Sequence, residues 1–382
     1  MVLSDIQKRL LDADPQPYYS YYRGVIDESA LPPDIRSIAR TEYGDTLLGY
    51  TSENIFKIVI NTYATGLASS RPDLPGFNKA LTPLLIRGVA PCVISPSKAL
   101  TFPENYTYIT DGNYTITAIF TRSLSKNTDF VTLIDTEGIA QTLYKPTKNT
   151  HSKDFTHDWK PLDTATGYQL HMLALPDTGF GPTLAALQNR INASIITQTR
   201  VADMYARPFW YLLNTYQPPD NPHTDNPQPT KASSKPGQRI FITDSQGPFG
   251  QLTPPTLKDV VDFHNTILEK VTQTTGIPPY YFTPGSGTPP TGVALKVISE
   301  RYRQNIQAMR GTINPTLQNI LATIGATPDT DDGDYIVWQS ADDLTQDALD
   351  AHGLALTTMG YPLDYVASQV TPGVDLAAYE SD

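Results

Sequence analysis

Residues capable of chemistry are present in this sequence, but their spacing does not suit them to it. Six histidines, His151, His157, His171, His223, His264 and His352, are scattered over 382 residues with no His-x-x-x-His or similar ligand spacing. Each reads as a surface or satisfied core histidine. Cys92 is the only cysteine, so the chain can form neither an internal disulfide nor a thiolate zinc site. Asp331-Asp332 and Asp342-Asp343 could hold a cation, but acidic pairs at a turn or helix start ordinarily act as caps and solvated charge. The run Thr330 to Asp334 (TDDGD) lacks the register and closing glutamate of an EF-hand. The sequence contains no Gly-x-x-x-x-Gly-Lys-Ser/Thr and no Gly-x-Ser-x-Gly, and Gly285-Ser286-Gly287 lies between prolines rather than between strand and helix. The expectation is a protein that is not an enzyme and binds no cofactor or metal.

The elements that would position side chains read clearly in several places. Residues 4–13 predict an amphipathic helix with Ile6, Leu10 and Leu11 on one face, and 52–65 a second with Ile55, Ile58, Val59 and Tyr63. From Ile86 to Leu175 the apolar period falls to two. Tyr106 to Phe120 predicts a hairpin turning at Asp111-Gly112, and Val131 to Tyr144 another around Asp135 to Gly138. Trp159 and a strand from Tyr168 to Leu175 complete a β-rich layer.

Helices then return. Pro182 suits a first turn, and Leu184, Leu187, Ile191, Ile195 and Val201 mark a face running to Tyr205, a rod of roughly 35 Å. Phe209 to Leu213 look extended. The polar, proline-dense stretch TYQPPDNPHTDNPQPTKASSKPG follows, with a short strand at Arg239 to Thr243 and a turn-rich piece from Gln246 to Pro255. A helix from Thr256 stops at Gly276 and Pro278-Pro279, and the glycine-proline loop YYFTPGSGTPPTG comes next. A long helix spans Val293 to Thr323, with Pro315 expected to kink or break it near Asn314. Tyr335 to Trp338 predict a strand, and Ser340 to Leu356 a helix.

Composition narrows the class. Charged residues are only 18% of the chain against 39% hydrophobic, which suggests surface buried against other subunits. With 33 prolines and 24 glycines, many loops are stiff or sharply turned. A net charge of −11 argues against a protein built to grip nucleic acid, though not against one that lets DNA pass. MVLSDIQKRLLDADPQ has acids and no apolar run, and no segment nears the ~20 apolar residues of a membrane helix. A soluble intracellular protein is the expectation. The triplets at Asn105, Asn113 and Asn192 would matter only in a secreted chain.

The order of parts resembles the portal proteins of tailed bacteriophages, in particular the compact siphovirus-type head-to-tail connector portals. The residues carrying the resemblance are YYSYYRG (Tyr18 to Gly24), NIFKIVINTYATG (Asn54 to Gly66), Gly181 to Pro208 running into ARPFWYLL, TTGIP (Thr274 to Pro278), TGVALKVISERYRQ (Thr291 to Gln304) and VWQSADD to GYP (Val337 to Pro362). The resemblance implies an α+β portal fold in a ring of twelve subunits: wing 1–180, stem helices 181–207 and 256–276, clip 208–255, tunnel loop 277–292, long kinked wing helix 293–325 and a C-terminal wing or short crown segment 326–382.

It further implies a channel at one capsid vertex, assembled in the host cytoplasm, through which double-stranded DNA passes without sequence specificity. The implied partners are the major capsid protein, the terminase large subunit that supplies the motor, and head-to-tail adaptor proteins; no membrane is involved. Channel and tunnel-loop candidates are Thr283, Gly285, Ser286, Gly287, Thr288, Thr291, Lys258, Lys270 and Lys296. Adaptor-docking candidates in the clip are Gln217, Pro218, Asp220, Asn221, Lys231 and Lys235. Repeated around a ring, one lysine per subunit becomes a belt of charge. The alternatives are a head-to-tail adaptor or other virion protein without a DNA channel, and a hydrolase using Asp331 and Asp332.

Overall fold

Helical apolar spacing at both ends of the chain and two-residue alternation in the middle require helices packed with sheets. The computed structural model has that α+β architecture and describes residues 5–43, 51–69, 71, 74–111, 114–123, 128–146, 159–206, 210–212, 249–251, 256–282, 292–326 and 338. The chain forms two compact units. One comprises Met1–Pro15, Thr62–Thr178 and Thr275–Asp382; the other comprises Gln16–Asn61 and Gly179–Thr274. These units cut across the expected 1–180 segment, because residues 16–61 group with 179–274.

The first elements are α1 (Asp5–Asp12), α2 (Tyr19–Tyr22), α3 (Pro33–Ile38), α4 (Ile55–Gly66) and α5 (Phe77–Arg87). Helix α1 falls where its periodicity predicts and buries Leu10, whereas Ile6 stays 40% exposed. In α4, Ile55, Phe56, Val59, Ile60 and Tyr63 are fully buried. Helix α5 lies just ahead of the β-rich stretch and overlaps its expected start only at Ile86 and Arg87. Pro83 sits inside it, a residue that reads as a helix breaker, but the apolar Phe77, Ala80, Leu81, Leu84, Leu85 and Ile86 bury it on several sides.

Strands β1 (Val89–Ile94), β2 (Leu100–Thr101), β3 (Tyr106–Asp111), β4 (Tyr114–Ser123), β5 (Thr128–Asp135), β6 (Ile139–Pro146), β7 (Lys160–Thr166) and β8 (Gln169–Ala174) follow. They form two antiparallel sheets, β3-β4-β5-β6-β7 and β2-β1-β8. Because side chains alternate across a strand, the larger sheet has two apolar faces. Ile116, Ala118, Val131, Leu133 and Leu143 pack on Leu10 of α1, while Ile134 and Ala140 pack on Val93 of the smaller sheet.

Both expected hairpins form. Asp111 pairs with Tyr114, however, so Asp111 ends β3 instead of entering the turn, and Gly112-Asn113 connects the strands outside the described residues. The second turn is Thr136-Glu137-Gly138. Gly138 has φ +82°, and a Cβ there would lie 2.5 Å from the Tyr168 carbonyl oxygen. Strand β7 was not legible in the sequence: its residues are almost all exposed, and Pro161 is tolerated because β7 is an edge strand.

The later elements are α6 (Gly181–Ala206), β9 (Trp210–Leu212), β10 (Phe249–Gln251), α7 (Leu257–Thr275) and α8 (Gly292–Ile324). β10 lies inside the stretch read as turn-rich and pairs antiparallel with β9. Helix α8 runs through Pro315 without a break. Pro315 and Gly311 are both exposed, so the Gly311 carbonyl that loses its donor faces water. It buries Tyr302, Ile306, Ile313, Leu317 and Ile320 at helical spacing, with Met309 half-buried. Of the expected strand at 335–338, only Trp338 is described, bridging Ser69. The segments 239–243 and 340–356 lie outside the described residues.

Candidate functional site

The unit containing α6 and α7 holds two of the candidate channel lysines, Lys258 and Lys270. Its apolar faces bury Leu184, Leu187, Ile191, Ile196 and Val201 on α6 and Ile267, Leu268 and Val271 on α7. Beside these faces Thr183, Ala186, Leu187 and Arg190 of α6 meet Lys270, Gln273 and Thr274 of α7 around an open groove of about 440 Å³. Arg190 and Lys270 are exposed, and among the described residues neither has a carboxylate within ion-pair distance. Two unneutralised cations with two threonines and a glutamine can hold anionic oxygens, but they supply no nucleophile–base pair.

Lys270 is therefore a groove residue. Lys258 is exposed on the first turn of α7, 12 residues before it, or ~18 Å along the axis. Lys296 belongs to α8 in the other unit, and its side chain lies outside the described residues. Thr283, Gly285, Ser286, Gly287, Thr288 and Thr291 also lie outside them, as do Gln217, Pro218, Asp220, Asn221, Lys231 and Lys235. Arg190 is not among the residues the sequence put forward, because it is far in sequence from the glycine-proline loop. Its signal was an arginine on the polar face of a helix that has no acid before Asp203.

A polar network holds the helices of this unit together. Asn54 begins α4 and accepts from the Lys57 amide (2.9 Å). Gln188 of α6 is 2% exposed; its Oε1 accepts from the Phe56 amide (3.1 Å), and its Nε2 donates to the Glu53 carbonyl (2.8 Å) and to Asn192 Oδ1 (3.0 Å). His264 sits between two helices' worth of partners, with Nε2 3.1 Å from Glu53 Oε2 and Nδ1 3.3 Å from Ser194 Oγ. The order serine–histidine–carboxylate invites a hydrolytic reading. Ser194 is only 3% exposed, though, which closes its hydroxyl to a substrate carbonyl. The imidazole can donate to Glu53 and exchange a hydrogen bond with Ser194 whether neutral or charged, so the group is a tie between α7, α6 and the start of α4.

In the other unit the chain leaving α7 is fixed to α8. Tyr63 donates to the Thr275 carbonyl, and Asn305 Nδ2 donates to the Tyr63 hydroxyl (3.0 Å) and to the same carbonyl (3.3 Å). Burial pushes the Tyr63 phenol up to about 12. Gly276 turns the backbone with φ +73°, and a Cβ there would lie 3.1 Å from both Arg301 Cγ and Asn305 Nδ2. Ile277 is fully buried and Phe282 is 6% exposed, so 277–282, the start of the expected tunnel loop, is packed chain. The Arg310 guanidinium, whose pKa burial lowers, donates to the Gly66 carbonyl and lies 5.3 Å from the Trp338 ring centroid. His171 and Cys92 are register partners in the small sheet. Burial holds the imidazole pKa low and the thiol pKa high, which leaves both groups neutral.

No family model matches the chain, and no curated protein matches it. Among solved structures, one similar chain belongs to "Neck of empty GTA particle computed with C6 symmetry". It has a TM-score of 0.40 and 13% sequence identity, and the match covers 90% of this chain and 94% of that one. At that TM-score the likeness supports no inference about fold or function.

Proposed function

We propose that this chain is a portal subunit of a tailed bacteriophage, which forms a ring-shaped channel for double-stranded DNA at a capsid vertex. The observation that carries the reading is the pairing of β9 with β10 between α6 and α7. Helices of 26 and 19 residues, ~39 and ~28 Å long, precede β9 and follow β10, and residues 213–248 separate the two paired strands in sequence. In this reading α6 and α7 are the stem helices and the segment between β9 and β10 belongs to the clip. The proline-dense composition of the segment suits docking, because little conformational entropy is left to lose.

The subunit does no chemistry in this reading. A separate terminase supplies the motor, the clip meets terminase and adaptor in turn, and the capsid protein surrounds the wing. A net charge of −11 keeps the lumen mostly repulsive to phosphate, with lysines such as Lys258, Lys270 and Lys296 as isolated belts. The ring assembles in the host cytoplasm and ends in the virion. Light scattering at micromolar concentration and negative-stain imaging test the reading. A closed ring of about twelve copies with an axial hole is expected, and a monomer or a particle without a hole would overturn it.

A further inference from the structure

Two adjacent amides of α6, Asn189 and Asn192, each spend one end on a neighbour and bury the other end without a partner. Gln188 Oε1 holds the Phe56 amide, so its Nε2 can only donate, and Asn192 meets it with Oδ1 (3.0 Å). That leaves Asn192 Nδ2, on a side chain 2% exposed, as a buried donor with no hydrogen-bond partner among the described residues. Asn189 is half-buried and is fixed the other way round. Hydrogen bonds from Ser29 hold the Asp27 carboxyl below its ordinary value, so Asp27 accepts from the Tyr21 hydroxyl (3.2 Å). The same hydroxyl then accepts from Asn189 Nδ2 (3.0 Å), and Asn189 Oδ1 is left as a buried acceptor without a partner.

Residues three apart on a helix are neighbours, with Cβ atoms ~5–6 Å from each other. Helical side chains lean toward the N-terminus, so the Asn192 amide lies over the turn that carries Gln188 and Asn189. With its oxygen given to Gln188, its nitrogen is left for a group beside Asn189. The two orphaned atoms do not bond each other directly, and together they define what could join them. A cation would meet the Asn192 donor, an anion would meet the Asn189 acceptor, and an apolar group would satisfy neither. What fits is a small species that accepts and donates at once. We infer that one ordered water molecule is bound here, accepting from Asn192 Nδ2 and donating to Asn189 Oδ1.

This site goes beyond the ring reading and does not depend on it. With the water in place, one unbroken line of donors runs from Gln188 through Asn192, the water, Asn189 and Tyr21 to the Asp27 carboxylate. Every member donates in the same direction, so each bond polarises the next, and the line ends on a charge. Gln188 Nε2 also donates to the Glu53 carbonyl, so the water joins the chain ahead of α4 to the residues that follow α2, across α6.

A map of the purified protein at about 2 Å or better, by crystallography or cryo-electron microscopy, tests this. It should show an isolated peak about 3 Å from both Asn192 Nδ2 and Asn189 Oδ1. No peak there, or the two side chains in direct contact, would overturn the inference. Asn192→Leu removes the donor and Asn189→Leu the acceptor, and a buried water needs at least two polar partners. Each variant should therefore lose the peak, and a peak that stays in either shows that other groups hold it and the bridge is wrong. If a variant fails to fold, the map of the unsubstituted protein decides alone.

Discussion

Tyr63 shows what a single side chain contributes to this protein. It is completely buried, its hydroxyl ties the end of α7 to Asn305, and burial raises its pKa to about 12. An acid whose folded pKa lies above its unfolded value stabilises the fold fully below the unfolded value, here near 10, and loses that contribution as pH rises toward 12. Denaturant unfolding followed from pH 9 to 12 should show stability falling across that window by on the order of 2 kcal/mol, with a shallower fall in Tyr63→Phe. Gly66 gives a second residue-scale outcome. A Cβ there would sit 2.7 Å from the Tyr302 hydroxyl and 2.8 Å from Ile306 Cδ1, so Gly66→Ala should cost about 1–3 kcal/mol in urea unfolding. Gly311 is at an exposed position of α8 where a Cβ would meet nothing within 4 Å, and Gly311→Ala should be neutral or gain up to ~1 kcal/mol. The sequence placed Tyr63 on a buried helical face, which periodicity can show. It could not reveal Thr275 as the partner, because no local rule links residues 212 apart.

Among elements, α4 depends on a neighbour for its own start. Gln188 takes up the Phe56 amide that the first turn leaves without an intrahelical acceptor. Gln188→Leu leaves that amide unsatisfied in a buried place, while the Glu53 carbonyl keeps the Ile55 amide and the Thr51 hydroxyl, and should cost about 1–3 kcal/mol, read as a lower denaturant midpoint. A loss below about 0.5 kcal/mol would mean that water enters and replaces the amide. Most elements were legible: α1, α4, α6, α7, α8 and the hairpins of the large sheet follow from periodicity and turn residues. Helix α5 was hidden by Pro83, which burial on several sides outweighs. Strand β7 was hidden because an exposed edge strand has no apolar alternation to show. The groove was half legible, since Lys270 follows from its nearness to a loop, whereas Arg190 reaches it only through the packing of two helices far apart in sequence.

For the whole molecule, β9 and β10 hold the ends of the inserted segment together, so removing residues 219–234 leaves both strands and both helices intact. That deletion should leave the number of copies per particle, read from light scattering, unchanged while abolishing adaptor attachment. Loss of assembly would place the segment in the ring contact instead. The same scale governs how the chain is made. Thr62 accepts from the Tyr302 hydroxyl, 240 residues later, and Gly66 from Arg310. At about 5–20 residues per second, the ribosome delivers α8 roughly 10–50 s after the end of α4. Throughout that interval Tyr63 and Leu67, fully buried in the finished fold, wait without the helix that binds beside them. Nascent or prematurely terminated chains lacking α8 are therefore the species that a holding chaperone would meet, and their solubility, rather than that of the complete chain, sets the yield of the protein.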